Sequence, residues 1–289
     1  MAEISAKAVK LLRDKTGAGM MDCKRALNEA GGEVEKAIEV LRERGLAKAG
    51  KREGRTTSEG LISIALEGQR GGMVEVGCET DFVARTDDFA GLGSALARAV
   101  VEDASIDSVQ ALLDASIDSE KVSEKITAAI AKLGENVVVK RVARLQVGQQ
   151  GIVGGYVHAG GKLGVLVGLN TPSDGADFEA LAKDLSMHVA AADPTPVAVT
   201  RDGISQEFLA KEREIFRRQA LQEGKPEKVV DRIVEGKINK YVSEICLVEQ
   251  AFVKDPDKSV GDLLKQAGDA QISEFVRFKL GQTEEETSE

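Results

Sequence analysis

Three stretches of this chain carry the residue types of reactive sites, and each lacks a component its chemistry requires. Gly45-Leu46-Ala47-Lys48-Ala49-Gly50-Lys51-Arg52 nearly spells a phosphate-binding loop, where glycine amides cradle phosphates and a Ser or Thr hydroxyl holds magnesium. Arg52 stands where that hydroxyl belongs, and the stretch follows a helical pattern rather than a strand. Gly148-x-x-Gly151-x-x-Gly154-Gly155 has the wrong spacing for a dinucleotide fingerprint, and its glycines suit bends and close packing. His158 and His188 stand alone, with no Cys-x-x-Cys or His-Glu-x-x-His beside them to build a metal site. The carboxylate pairs Asp87-Asp88 and Glu102-Asp103 are adjacent, so their side chains diverge on a helix or loop. Cys23 lies on an apolar helical face and reads as core. No catalytic constellation emerges. Neither a cofactor nor a metal is expected, and a binding protein is favoured over an enzyme.

One segment invites a binding role. Gly77-Cys78-Glu79-Thr80-Asp81-Phe82-Val83 sets an aromatic beside a carboxylate, in a chain with only 8 Phe, 2 Tyr and no Trp. The run Gly72–Val76 predicts a strand and Phe89–Val101 a helix, so Thr80–Asp88 falls in their connection, where side chains tend to meet partners. Asp81 and Phe82 then form a tool for prying at another protein. The alternative is a loop phenylalanine folded back onto its own sheet. For Asp81 the alternative is a carboxylate that caps the following turn.

The chain must supply elements to position that segment. At 289 residues, 42% hydrophobic and 30% charged, it can bury two or three modest cores. No run approaches the roughly 18 apolar residues of a membrane span, and the N-terminal residues lack a signal-peptide stretch. Three widely spaced cysteines fit a reducing, cytoplasmic setting. A net charge of −9 argues against nucleic acid as the main partner. Residues 1–55 nevertheless hold 13 Lys and Arg against 9 Asp and Glu. That basic head suits docking to an acidic protein surface, or is a solvated helical face.

Ala8, Val9 and Leu12 stripe a first helix opened by Ser5, Met20–Ala30 forms a second, and Val34, Ala37, Ile38 and Leu41 stripe a third. Such a small core needs support from a partner or from the body of the chain. Lys48–Arg55 reads as a charged linker. The body carries an internal repeat. Met73-Val-Glu-Val-Gly77-Cys-Glu-Thr80 matches Gly164-Val-Leu-Val-Gly168-Leu-Asn-Thr171 at an offset of 91, as Gly60 matches Gly151. Asp88-Phe89…Leu92…Leu96…Val100 then meets Asp177-Phe178…Leu181…Leu185…Val189. Each copy predicts a β-β-α unit. Phe89 recurs as Phe178, whereas Asp81-Phe82 faces Pro172-Ser173, so the fold does not demand an aromatic there. Asn136–Gln146 and Phe275–Leu280 predict strands, the first with Arg141 interrupting its apolar side. Ser205–Glu223 and Glu227–Val242, split by Gly224-Lys225-Pro226, predict a helical hairpin that projects as an arm.

With these segments in hand, the chain resembles the bacterial elongation factor Ts family, nucleotide exchange factors for elongation factor Tu. Arg13-x-x-Thr16-Gly-Ala-Gly-Met20-Met21-Asp22-Cys23-Lys24-x-Ala26-Leu27 looks like the family's N-terminal signature, and Thr80-Asp81-Phe82-Val83-Ala84 looks like its central motif. Lys132-x-Gly134-Glu135-Asn136, Met187-His188-Val189-Ala190-Ala191 and Val234-Glu235-Gly236 match further blocks in order. The resemblance implies an α+β fold: a small ubiquitin-associated-like three-helix domain and linker over 1–55, then two related β-β-α subdomains. The subdomains span 56–146 and 147–200 with 246–282, a coiled-coil hairpin over 201–245 is inserted, and an acidic disordered tail covers 283–289. It further implies guanine nucleotide exchange on elongation factor Tu in translation elongation. Thr80, Asp81, Phe82 and Val83 would wedge at the magnesium and phosphate site of the GDP-bound GTPase and promote GDP release. Arg13, Met20, Met21, Leu133, Gly134 and His188 would contact the GTPase domain around that wedge. The hairpin's apolar stripe fits either homodimerisation or partner contact. The rival readings are a non-catalytic protein-binding adaptor and an enzyme with a nucleotide cofactor, the latter poorly supported by the failed phosphate loop.

Overall fold

The computed structural model describes residues 4–172 and 176–282; the tail 283–289 and Ser173 lie outside the described residues. The chain mixes helix and strand, as an α+β protein. Contacts gather it into two compact units, one holding the residues up to Ser63 with Met73–Ala143, the other Ile64–Gly72 with the residues from Arg144 on.

In the first unit, helices α1 (Ala6–Thr16), α2 (Met20–Glu29) and α3 (Val34–Gly50) enclose Val9, Leu12, Cys23, Ala26, Leu27 and Ala37. Ser5 caps α1, its hydroxyl accepting from Ala8 N at 3.2 Å, and Gly17 ends it in the left-handed region. Helix α3 continues to Gly50, through the start of the stretch expected to be a linker. Ala47 and Ala49 favour helix, and the Gly45 surface lies against Ala131 and Thr127 of α7 (Val122–Leu133). The support that this small helical core requires thus comes from α7. The near phosphate-loop is part of α3 and its final turn, with Arg52 donating to Ile130 O at 3.2 Å.

Strands β1 (Glu59–Glu67) and β2 (Arg70–Cys78) form a hairpin, followed by the short α4 (Asp81–Ala84) and by α5 (Asp87–Glu102). Sequence periodicity did not foresee the next pieces: α6 (Val109–Asp114), the two-residue β3 (Ser116–Ile117) and β4 (Glu120–Lys121), and α7. They lead to β5 (Val138–Gln146), which completes a sheet in the order β1-β2-β5. Thr86 caps α5, whose Phe89, Leu96 and Val100 are buried.

The second unit holds β6 (Gly151–Val157), β7 (Leu163–Asn170) and α8 (Ala176–Ala191), with β10 (Gln271–Lys279) closing an antiparallel sheet in the order β10-β7-β6. A Cβ at Gly154 would come within 2.4 Å of the Ala182 carbonyl carbon, so this glycine serves close approach of β6 to α8. Strand β10 begins earlier than expected, at Gln271, with a register shift between Ile272 and Glu274. Between α8 and β10 lie α9 (Gln206–Gln222) and α10 (Glu227–Ile245), then β8 (Ala251–Phe252), β9 (Asp255–Ser259) and α11 (Val260–Gln266). Helices α9 and α10 bury Leu209, Ala220, Val230, Val234 and Ile238, and the Tyr241 ring meets Phe208 and Phe216 at 6.2 and 5.9 Å.

The imperfect alternation of β5 has a specific cause. Arg141 sits on the apolar side because buried Glu75 of β2 receives it: Nε donates to Glu75 Oε2 at 2.7 Å, and Nη2 donates to the same oxygen. Removing one partner from a buried pair costs more than the pair itself is worth, because a charge stays behind in a poorly solvating place. Arg141→Ala should therefore lower stability by about 3–5 kcal/mol. Joint replacement by Glu75→Val and Arg141→Leu should recover most of that loss, as urea denaturation of the wild type and the two variants will read.

Candidate functional site

Helix α4 has only four residues; Phe82 is exposed and Val83 and Ala84 are half-buried, so hydrophobic packing holds it only in part. Its order comes from hydrogen bonds at both ends. Thr80, not Asp81, is the N-cap, its Oγ1 accepting from Val83 N at 3.4 Å. At the other end Thr86 N donates to Val83 O at 3.0 Å, and the Thr86 hydroxyl donates to the same oxygen at 2.8 Å. Asp81 instead pairs with Arg85 one turn on, at 2.9 Å and in solvent, a contact worth about 1 kcal/mol at most. Phe82 is 80% exposed, so its ring is not folded onto the sheet.

Beneath the turn two carboxylates cross. Glu135 Oε2 accepts from Glu79 N at 3.0 Å and Thr80 N at 2.9 Å, while Oε1 accepts from the Thr80 hydroxyl at 2.5 Å. In return Glu79 Oε1 accepts from Asn136 N at 2.7 Å, and Asn136 Nδ2 donates to Arg55 O at 3.1 Å. The Asn136 N–H, aided by Arg55 and opposed by desolvation, holds the Glu79 carboxyl below the usual carboxylate range. Cys78 joins the same corner. Burial, then the charge of Glu135, pushes its thiol up to about 11, so it stays protonated and donates to Thr80 O at 3.2 Å.

Glu135 is delivered by the end of α7. Gly134 stops that helix at φ 82°, donating to Ile130 O, and is exposed; Leu133 before it is half-buried. Lys132 joins three elements here. Its side chain passes the α1–α2 turn, Cε lying 3.2 Å from where a Gly17 Cβ would stand, and Nζ donates to Asp88 of α5 at 2.7 Å. On either side of Gly17 are Arg13, exposed, and the methionines that open α2. Met20 and Met21 are 57% and 64% exposed, because the apolar face of α2 begins only at Cys23.

The first unit therefore brings Thr80, Asp81, Phe82, Val83, Leu133 and Gly134 together, and ties the loop between Arg13 and Met20 to the same end of α7. His188 belongs to the second unit, where its ring is 1% exposed. Val253 N can only donate, so Nδ1 accepts from it at 3.3 Å, and Nε2 donates to Gln250 Oε1 at 3.0 Å. Gln250 in turn donates to Pro194 O and Glu244 O at 2.9 and 2.6 Å. This group lines a cleft of about 340 Å³ with Ala191, Ala192, Asp193 and Glu249. His188 thus shapes a surface through the residues it holds rather than by offering its own ring. Among the described residues no group of three or more His, Cys, Asp or Glu is placed to hold a metal, and no helix is long and apolar enough to cross a membrane. The residues that sequence reading passed over as site members are Glu79, Glu135 and Arg55. Glu79 and Glu135 stood within the quoted segments Gly77–Val83 and Lys132–Asn136, but nothing in the local pattern joined them.

Comparison with known proteins places the chain in a family. The family model described as elongation factor TS matches residues 79–282. The chain is 45% identical over 294 residues to an elongation factor Ts of Clostridium botulinum (strain Eklund 17B / Type B), covering 99% of this chain and 96% of that protein. It is likewise 45% identical to one from Chlorobium phaeobacteroides (strain BS1), covering 97% and 100% respectively. Such matches define a translation elongation factor, a component of protein biosynthesis. The chain belongs to the elongation factor Ts family.

Burial holds His188 below its ordinary value of 6.5, against the opposing effect of its Gln250 bond. As pH falls through that value, the unfolded chain binds a proton that the folded one resists, so stability present above it is progressively lost. Between about pH 6.5 and about pH 5.5 the wild type should lose up to about 1 kcal/mol more than His188→Gln. Urea melts at the two pH values test this; equal losses would mean that the folded ring protonates freely.

Proposed function

We propose that this chain is a guanine nucleotide exchange factor for elongation factor Tu, binding it in GDP-bound and nucleotide-free forms. The observation that carries the reading is the 80% exposed Phe82 on a turn held by hydrogen bonds, with Asp81 beside it. An aromatic that exposed gains nothing for its own fold, and a fixed ring can enter a partner without first being ordered. Met20 and Met21 supply adaptable apolar contact from the same unit. Arg13, Leu133 and Gly134 extend that surface, and His188 shapes a further contact through Gln250 and Val253.

Exchange makes and breaks no covalent bond, so the chain acts as a ligand of the GTPase rather than as an enzyme. GDP is held by phosphate-loop amides, magnesium and base contacts acting together. A partner that binds more tightly once those contacts are broken must weaken GDP by the same factor. Phe82 pushed between elements of the GTPase, with the Asp81 carboxylate near the metal, supplies that differential contact. In this reading residues 1–55 are the docking domain and 56–146 the wedge-bearing subdomain. Residues 147–200 with 246–282 grip another part of the GTPase, and the 201–245 hairpin serves partner contact or self-association. The cytoplasm is the setting it fits.

The test is loss of fluorescent GDP from elongation factor Tu during a chase with unlabelled GDP. Wild type should speed release. Phe82→Ala should lose about 2–4 kcal/mol of coupling, as truncated hot spots do, or roughly 30- to 1,000-fold in rate. Binding without any effect on GDP release would instead establish the adaptor.

A further inference from the structure

We propose that Glu135 is the positioning residue of the wedge: its carboxylate presets the turn that presents Asp81 and Phe82, without touching the partner itself. The inference rests on the exchange reading above and assigns the part of the chain that gives the wedge its direction.

No residue of helix α4 is fully buried and Phe82 is 80% exposed, so the path of the chain entering the turn bears strongly on where the ring points. That path is set by three donors converging on one carboxylate: the amides of Glu79 and Thr80 and the Thr80 hydroxyl. An ionised acceptor makes these bonds shorter and stronger than a neutral one would. The hydroxyl bond also orients the cap. With its proton committed to Glu135 Oε1, Thr80 Oγ1 is left as an acceptor facing Val83 N, which starts the helical turn.

The carboxylate is itself held from behind. Gly134 in the left-handed region fixes the exit of α7 immediately before it. Asn136 immediately after it donates its amide to Glu79. Each of two neighbouring backbones is therefore clamped by a side chain of the other, and neither can shift alone. Leu133 and Gly134, which belong to the contact surface in the exchange reading, move with Glu135. The device thus couples the wedge to the floor beside it across 55 residues of sequence.

The experiment compares wild type, Glu135→Gln, Glu135→Ala, Phe82→Ala and the Glu135→Ala/Phe82→Ala double variant. It reads GDP release from elongation factor Tu and, on the free chain, hydrogen exchange of the backbone amides. Glu135→Ala should slow stimulated release by about ten- to a hundredfold, the scale of a misplaced working group. Glu135→Gln, close in shape and able to accept from both amides, should lie between it and wild type. In the Phe82→Ala background the alanine should add less than about twofold, since a residue acting through the ring has nothing left to position. The amides of Thr80 and Val83 should lose protection while those within α5 keep it. Wild-type release by Glu135→Ala, or an equal loss in both backgrounds, would overturn the proposal. If wild type itself leaves GDP release unchanged, the exchange reading falls and the wedge role with it. The amide measurement still decides separately whether Glu135 holds the turn: unchanged protection in both Glu135 variants overturns that too.

Discussion

A side chain meant to enter another protein must stay out of its own core, and that denies it the commonest source of order. On the exchange reading Phe82 is such a side chain, 80% exposed on a four-residue helix none of whose residues is fully buried. Glu135 accepts three bonds from Glu79 and Thr80, the two residues that lead into that helix. Each bond contributes about 1.5–3 kcal/mol when the acceptor is charged, against about 2–4 kcal/mol of backbone entropy for ordering the two residues. Polar contacts to the neighbouring backbone can therefore do here what burial does elsewhere. The adjoining sheet and helices hold those contacts in place.

That framework is strict for the same reason. Strand β2 runs straight into Cys78, Glu79 and Thr80, and β5 leaves directly from Glu135 and Asn136. A slip of one strand by a residue would carry the two carboxylates past each other and put every side chain on the wrong face. The buried pair of Glu75 and Arg141 opposes such a slip, because the alternative register would strand a charge. An ion pair of this kind adds little net stability, and its use in fixing register suits the strands that flank the turn.

Much of the architecture was legible from local pattern. The three opening helices, both β-β-α units and the helical hairpin follow from apolar spacing and glycine breaks, which depend on neighbours in sequence. Phe82 was legible because the repeat places Pro172-Ser173 opposite it, so the core does not need it. Three things were not. In the stretch that leads to β5, α6, β3 and β4 are too short for a clear period, and α6 is defined by its cap, Ser108; α7 does carry one, Val122, Ile126 and Ile130 one turn apart, which the reading of the sequence passed over. Arg141 looked like a fault in β5 until Glu75, 66 residues away, was seen to receive it. Glu135 stood in a family block with no role assigned to it, because its three donors lie 55 or 56 residues upstream. His188 shows the converse. Its motif marks it as a site residue, yet its ring turns inward to hold Gln250 and Val253. Sequence pattern reports which segments matter, and long-range polar contacts report how.

The difference between Phe82 and the two methionines bears on exchange itself. A flexible thioether can follow a partner's surface through a change of shape, so Met20 and Met21 can hold the GTPase comparably in both nucleotide states. Equal binding to two states shifts nothing between them, however tight it is. On the exchange reading, a ring that Glu135 fixes cannot follow, and so fits one arrangement of the GTPase better than the other. On the exchange reading, affinity and coupling are then divided between neighbouring parts of one unit. The exposed, unbranched side chains of α2 supply attachment, and the rigid turn supplies the preference for the state in which GDP is loosened. In that reading, stiffness at α4 belongs to the mechanism. A looser turn would keep the contact surface and lose the discrimination, because the ring would settle wherever either state of the partner left room.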